Sequence, residues 1–467
     1  MKVQRLLIVS LAALGLGCSS SKPGTTPLES GGATGSGGSS NGAGGGTTSG
    51  AGGSTTTGAG GDTTTGAGGD TTTGAGGDTT TGAGGSTTGA GGAATGTGGA
   101  AIVDASTDTT LTPQFTGTFH MGADISWVPH DEFYGATYVD TDGVQKDILA
   151  LLKNHGFNSV RLRTFVDPKA TDGYDQRDGF ADQEHTIAMG VRVKQAGMGL
   201  LLAIHYSDNW ADPGKQCIPV AWQGHTIAQL MQDVHDYTFN LLTAMKNAGA
   251  EPDLVQIGNE ITPGLLIHIC DVNGLPVSTS TVNGRMTTAN IANFAGLLKQ
   301  GIMAVKEVDT RIKTVLHIDK GGDMNASIAW INSVMAQSVP FEVFADTSYV
   351  RWQGQPAGWQ ATFAKLATMY PTLEFLIPEY GNETATTPAT PTTMEIANQT
   401  IFGISGNRGV GAWIYEPEHP AQAGIGIGLV QTTTVDGGIQ DPWPVFTALP
   451  SGMAVYDRLK ITFASRL

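Results

Sequence analysis

From about Phe115 onward the chain alternates two kinds of apolar pattern. Short runs dominated by apolar residues read as strands buried on both faces. They fall at Phe119–Ile125, Ser159–Arg163, Gly199–His205, Leu254–Gly258, Lys313–His317, Val343–Tyr349, Glu374–Pro378 and Gly409–Tyr415. Between them, apolar positions recur every three or four residues, which is the helical period. Val144, Ile148, Leu149, Leu151 and Leu152 make one such face, with Asp142 expected as its N-cap. Leu230, Met231, Val234, Leu241, Leu242 and Met245 make a second, ending near Gly249. Phe294, Leu297, Leu298, Ile302 and Val305 make a third. Further helices are expected near 185–196, 328–337, 359–369 and 391–400, and a last one near 453–463 closes the ring. Eight strands alternating with helices predict an α/β fold, a (β/α)8 TIM barrel over residues 115–467. The competing pattern is a doubly wound open sheet, but no Gly-rich phosphate loop follows the first run.

Ahead of the barrel the composition is different. Residues 19–114 are mostly Gly, Thr, Ser and Ala, and the unit Asp-Thr-Thr-Thr-Gly-Ala-Gly-Gly recurs from Asp62, Asp70 and Asp78. Such a repeat has nothing to bury and cannot offset its ordering entropy, so a disordered Gly/Thr-rich linker is expected. Random-coil scaling gives it a reach of roughly 50–60 Å. Residues 1–18 read as a signal peptide: Met-Lys-Val-Gln-Arg, an apolar run from Leu6 to Leu16, then Gly17-Cys18. This is a lipoprotein-type signal with Cys18 as lipid anchor, although Gly15 stands where that motif usually has Leu; ordinary secretion is the alternative. A secreted or cell-surface protein is expected, an outer-membrane lipoprotein of a bacterium. Membrane contact would come through the lipid alone, because no later stretch reaches 18 apolar residues.

Charge and cysteines narrow the function classes. A formal net charge of −16 argues against a nucleic-acid partner. Cys217 and Cys270 lack the short paired spacing of a zinc site. They read either as two buried thiols or, in an exported protein, as a disulfide joining two loops that follow strands.

The chemistry of a barrel enzyme sits at the C-terminal ends of its strands. Those ends carry Asp124, Arg161 with Arg163, His205, Asn259 with Glu260, His317, Tyr349, Glu379, and Tyr415 with Glu416. A scaffold has no use for a polar group at every strand end, since burying one costs free energy unless it is paired. Two carboxylates on separate strands, Glu260 and Glu379, suit glycoside hydrolysis: a protonated one helps the leaving oxygen depart and an ionised one attacks the anomeric carbon. Glu374, Glu383 and Glu416 are rival carboxylates, of which Glu374 starts its strand at the wrong end of the barrel.

Several stretches resemble the endo-β-1,4-galactanases of glycoside hydrolase family 53, within the clan of retaining (β/α)8 glycosidases. They are Gly122-Ala-Asp-Ile-Ser126, Asn158-Ser-Val-Arg-Leu-Arg163, His205-Tyr-Ser-Asp-Asn-Trp-Ala-Asp-Pro-Gly-Lys215 and Gln256-Ile-Gly-Asn-Glu-Ile261. The resemblance implies Glu260 as acid/base and Glu379 as nucleophile. It implies that Arg161 helps keep the nucleophile ionised, that Asn259 holds the sugar 2-hydroxyl, and that His205 and Tyr349 complete the first subsite. Asp124, Trp210, His317 and Tyr415 are expected to join the substrate-binding set. The chain departs from the family at Pro378-Glu379-Tyr380-Gly381, at Ser348-Tyr349-Val350-Arg351-Trp352 and at Ile414-Tyr415-Glu416-Pro417. Trp127, Trp210, Trp222, Trp352 and Trp413 lie near strand ends and are candidates for stacking on sugar faces. No cofactor is expected and no metal constellation is found; calcium, which some relatives hold after strand seven, stays open because residues 381–408 lack clustered Asp and Asn. The expectation is a monomeric, retaining endo-glycosidase whose partner is a polysaccharide, β-1,4-galactan. The alternatives are another β-glycanase of the clan, such as a mannanase or β-galactosidase-like enzyme, or a catalytically inactive surface carbohydrate-binding protein.

Overall fold

The computed structural model describes residues 117–381, 389–417, 429–431 and 445–467. The expectations for residues 1–116, Cys18 among them, and for Glu383 lie outside the described residues.

Eight parallel strands close into a barrel. They are β1 (His120–Asp124), β2 (Ser159–Thr164), β3 (Gly199–Ile204), β4 (Leu254–Ile257), β5 (Lys313–Ile318), β6 (Val343–Asp346), β7 (Glu374–Tyr380) and β8 (Gly409–Tyr415). Neighbours in the chain are neighbours in the sheet, and β1 pairs with both β2 and β8 to close the ring. Helices α1 (Ile148–Asn154), α2 (Gln183–Gln195), α3 (Ile227–Ala248), α4 (Ile291–Val308), α5 (Met324–Ala336), α6 (Pro356–Met369), α7 (Pro391–Phe402) and α8 (Pro450–Thr462) alternate with them.

Local chemistry sets the helix ends. Thr226 and Gln229 form a reciprocal capping box at the start of α3, and Gly249, at φ 79°, ends it in the left-handed conformation. The expected N-cap of α1 is displaced. Asp147 caps it by accepting from the backbone N–H groups of Leu149 and Ala150. Asp142 instead accepts from the Val144 backbone and pairs with Lys146, because Gln145–Lys146 forms a short strand against Thr137–Val139.

The core has two layers. A large one lies between strands and helices and includes Leu151, Val234, Leu298, Ile331, Phe363 and Ile401. A small one fills the barrel lumen with Leu201, Leu254, Val315, Val343, Ala345, Leu376, Val410 and Trp413. Trp413 is therefore packing, not a sugar platform, and a Cβ at Gly122 would fall inside its indole. Trp222 is also buried in the outer core.

After β4 the chain makes two additions: Gly264–Leu265 pairs with Gly284–Arg285, and His268–Cys270 pairs with Pro276–Thr279. A disulfide between Cys217 and Cys270, with Cα atoms 5.9 Å apart, ties the loop after β3 to this hairpin.

Candidate active site

The strand ends converge on a buried ionic cluster. Asp124 ends β1 and accepts from the backbone N–H of Ser126 at 3.0 Å and from its hydroxyl at 2.5 Å. Its other oxygen takes Arg161 Nη1 at 2.5 Å. Nη2 of Arg161 donates to Asn259 Oδ1 at 2.8 Å and lies 2.9 Å from Glu379 Oε1. One planar guanidinium thus serves two carboxylates and an amide, a task a point-charge ammonium performs poorly. Burial works against its charge, but Glu379 and Asp124 outweigh that and raise its pKa.

Glu379 lies on β7, almost fully buried, and its second oxygen accepts from the Tyr349 hydroxyl at 3.2 Å. Burial pushes its pKa up, and Arg161 pulls against that shift. Among the described residues no cation pairs with Glu260 in this way. It follows β4 at φ 45°, a left-handed conformation that costs a non-glycine residue about 1 kcal/mol or more. Its Oε1 accepts from the Thr347 hydroxyl at 2.8 Å. Burial, then the charges of Glu379 and Asp319, hold its pKa well above the ordinary carboxyl value, against the pull of Thr347. Two carboxyls therefore face one cleft in contrasting surroundings, which is how one fold keeps an acid and an anion side by side.

The neighbours are held in turn. Asn259 donates to the Ala211 carbonyl at 2.9 Å, and its oxygen also accepts from Gln256. The Ala211 N–H donates to His205 Nδ1 at 3.1 Å, which leaves the His205 proton on Nε2. Burial and the charges of Arg161 and Arg163 keep that imidazole neutral. His317 Nε2 lies 2.7 Å from the Thr347 hydroxyl, beneath Glu260. Arg163 pairs with Glu416, and its guanidinium sits 4.2 Å from the ring centre of Trp210 and 5.2 Å from that of Trp127. Burial pushes Glu416 up to about 7, with Arg163 opposing.

Above this cluster opens a cleft of about 1020 Å³. Arg161, His205, Trp210, Asn259, Glu260, Tyr349, Glu379 and Tyr415 line it, with Trp127, Trp352 and Glu416. The family of sequences that fits this arrangement is Glycosyl hydrolase family 53, whose model matches residues 120–419, well over half the chain.

The chain belongs to glycosyl hydrolase family 53. It is 38% identical over 252 residues to an uncharacterized protein of the bgaB 5′ region of Niallia circulans. That match covers 54% of this chain and 64% of the relative, so the chain spans just under two thirds of that relative's length. It is 28% identical over 337 residues to an arabinogalactan endo-β-1,4-galactanase of Thermothelomyces thermophilus, covering 67% of this chain and 94% of the relative. Among solved structures, the catalytic domain of a family 53 protein of Ignisphaera aggregans superposes with a TM-score of 0.59 at 25% identity. That superposition covers 74% of this chain and 97% of the other.

Within this family 53 barrel the structure separates residues that sequence had grouped. Asp124 and His317 are fully buried beneath the cleft and hold Arg161 and Thr347 rather than lining the surface. Glu374 begins β7 at the opposite end, paired with Lys313 at 2.6 Å. Three contributors were not anticipated: Thr347, Asp319 and Tyr174. Thr347 stood inside the sixth apolar run, a small polar residue close to its end, which was the available signal. Tyr174 packs beside Trp210 and Arg163 from a loop that carries no periodic pattern. Among the described residues, no group of three or more His, Cys, Asp or Glu side chains could hold a metal ion.

Proposed function

We propose that this chain is an endo-acting β-1,4-galactanase that cleaves linear galactan by double displacement with retention. The observation that carries the reading is the contrast between Glu379, held by Arg161 and Tyr349, and Glu260, whose partner among the described residues is the Thr347 hydroxyl; burial raises both carboxyls, but at Glu379 the Arg161 cation opposes the shift. The relative from Thermothelomyces thermophilus, an arabinogalactan endo-β-1,4-galactanase, supports the choice of glycan.

In the first step a Glu379 oxygen attacks the anomeric carbon. The bond to the leaving oxygen breaks as Glu260 gives that oxygen its proton, and a glycosyl ester of Glu379 forms. In the second step water attacks the same carbon, Glu260 takes the water's proton, and the Glu379 carboxylate departs. Asn259 keeps one amide hydrogen beyond its bond to Ala211, a donor suited to the sugar 2-hydroxyl. Neutral His205 supplies another donor through Nε2.

The test is release of reducing ends from linear β-1,4-galactan beside mannan, xylan and β-glucan. The reading expects galacto-oligosaccharides from the first alone, and none from Glu379→Gln. Preferential cleavage of mannan or xylan would replace the substrate, and inactivity on all four would favour a binding protein.

The same proposal covers the N-terminal region: residues 1–18 export the enzyme, Cys18 carries lipid, residues 19–114 tether a monomeric barrel, and the product is an outer-membrane lipoprotein. Metabolic labelling with a palmitate analogue should mark the full chain and not Cys18→Ala; labelling of neither would remove the anchor.

A further inference from the structure

Glu260 has two oxygens, and an acid must carry its proton on the one that meets the substrate. Oε1 is turned to Thr347, which is fully buried. Among the described residues Oε2 accepts no hydrogen bond, and it is not sealed from solvent, while Glu260 lines the cleft. Oε2 is therefore the oxygen open to a substrate. An isolated carboxyl can place its proton on either oxygen, so the surroundings must choose.

The choice begins beneath Glu260, at His317 on β5. The His317 carbonyl accepts from the Ile261 N–H at 2.8 Å, and its Nδ1 lies 3.4 Å from the Glu260 backbone nitrogen. His317 thus holds the peptide groups on both sides of the left-handed Glu260. Nδ1 also lies 3.1 Å from Asn259 Oδ1. These two neighbours demand opposite tautomers: a bare Nδ1 for the N–H, a protonated one for the amide oxygen. The count of lone pairs decides. Asn259 Oδ1 already accepts from Arg161 Nη2 at 2.8 Å and from Gln256 Nε2 at 2.9 Å, which occupies both of its lone pairs. The Glu260 N–H has no other acceptor among the described residues, and a backbone N–H cannot turn away. Nδ1 is therefore the acceptor. Burial, then the charges of Arg161 and His205, keep this imidazole neutral, so its one proton is on Nε2. Nε2–H donates to Thr347 Oγ1 at 2.7 Å, which leaves the Thr347 hydrogen for Glu260 Oε1 at 2.8 Å.

We propose that His317, acting through Thr347, is a positioning residue that fixes the acid proton of Glu260 on Oε2. This rests on the reading of Glu260 as the acid, and adds how its proton is aimed. In the first step the proton passes from Oε2 to the departing oxygen as the bond from the anomeric carbon breaks. Oε1 keeps the Thr347 hydrogen bond, now as part of a carboxylate. In the second step Oε2 takes the proton of the attacking water. His317 and Thr347 neither gain nor lose a proton in either step.

The experiment compares Thr347→Val and Thr347→Ser with the wild-type protein on linear β-1,4-galactan and on dinitrophenyl β-galactobioside. Dinitrophenolate leaves as a stable anion and needs no proton, so only galactan reports the aim of the acid. Thr347→Val should lose roughly tenfold in kcat/KM on galactan, the scale of one hydrogen bond to an ionisable group. On the aryl glycoside it should stay within about twofold of wild type, and Thr347→Ser should do so on both substrates. An equal loss on both would overturn the proposal, because Thr347 would then serve the fold or the glycone. No loss on galactan would overturn it too. Proton–nitrogen NMR of isotope-labelled histidine in the wild-type protein reads the tautomer directly, with His317→Gln identifying the signal. The proton is expected on Nε2. A proton on Nδ1 would overturn the proposal, because Nε2 would then claim the Thr347 hydrogen. Wild-type protein that cleaves neither substrate would defeat the galactanase reading itself, and the tautomer would still decide this one.

Discussion

Nη2 of Arg161 lies 2.9 Å from Oε1 of Glu379, while Nη1 of the same guanidinium lies 2.5 Å from Oδ2 of Asp124. A single buried cation therefore bridges two carboxylates, and on the proposed mechanism it stabilises Glu379 as the attacking anion. Arg161→Lys keeps the charge and loses the fork. Activity should drop on the order of 10²–10³-fold, the cost of removing one preorganised donor at a reacting charge. The pH profile should move as well. Arg161 opposes the upward push of burial on Glu379, so weakening it raises that pKa further. On the proposed mechanism Glu379 works ionised, so activity should be lost as pH falls through its pKa, and the acidic limb of the variant should lie at higher pH. An unmoved acidic limb would separate Arg161 from the ionisation of Glu379.

Glu260 should govern the opposite limb and also weigh on stability. Its carboxyl holds its proton more tightly in the folded protein than at the ordinary value of 4.5, because burial disfavours the anion. The stability linked to that proton is fully present below the ordinary pKa and is lost as pH rises through the folded one. Glu260→Gln cannot ionise and keeps an amide facing Thr347. It should therefore be nearly inactive on galactan, yet have a higher Tm than wild type in mildly alkaline buffer and a similar Tm in acid. Thermal melts across pH check this; equal Tm values throughout would mean that Glu260 is not strained by its charge.

How far the sequence carried differs between scaffold and site. Parallel barrel strands are covered on both faces, so each reads as an uninterrupted apolar run, and all eight runs coincide with strands. Glu260 and Glu379 were legible because a polar residue directly after such a run must face the cleft or find a partner. Depth was not legible. Asp124 and His317 also stand at the ends of apolar runs, yet they are covered by Arg161 and Thr347, and only pairing across strands reveals that. Trp413 was one of several stacking candidates near strand ends. It fills the lumen because Gly122 on the adjacent strand leaves room for an indole.

That pairing gives a stability prediction. An alanine methyl at Gly122 would overlap the Trp413 ring, which packs in the barrel lumen and cannot swing into solvent. Gly122→Ala should destabilise the barrel by about 1–3 kcal/mol, the usual cost of overpacking. Gly122→Ala combined with Trp413→Leu should recover part of the loss in a urea titration. Additive losses would place the strain elsewhere.

The disulfide offers a second measure. Cys217 and Cys270 are 53 residues apart, and closing a loop of that length restrains the unfolded chain by about 4 kcal/mol on the entropic account. The double variant Cys217→Ser, Cys270→Ser should show a lower denaturant midpoint than the oxidised protein. Reducing the wild-type protein should lower its midpoint by a similar amount. A midpoint unchanged by reduction would mean that the bridge adds nothing to the folded barrel.

The central claim is that Glu379 forms a glycosyl ester and Glu260 resolves it. Proton NMR of the anomeric signals during cleavage of linear β-1,4-galactan tests that most directly. Retention predicts that the new reducing ends appear first as the β-anomer, with the α-anomer growing in only as they mutarotate. An α-anomer that appears first would mean single displacement by water, and would contradict the assignment of Glu379 as nucleophile.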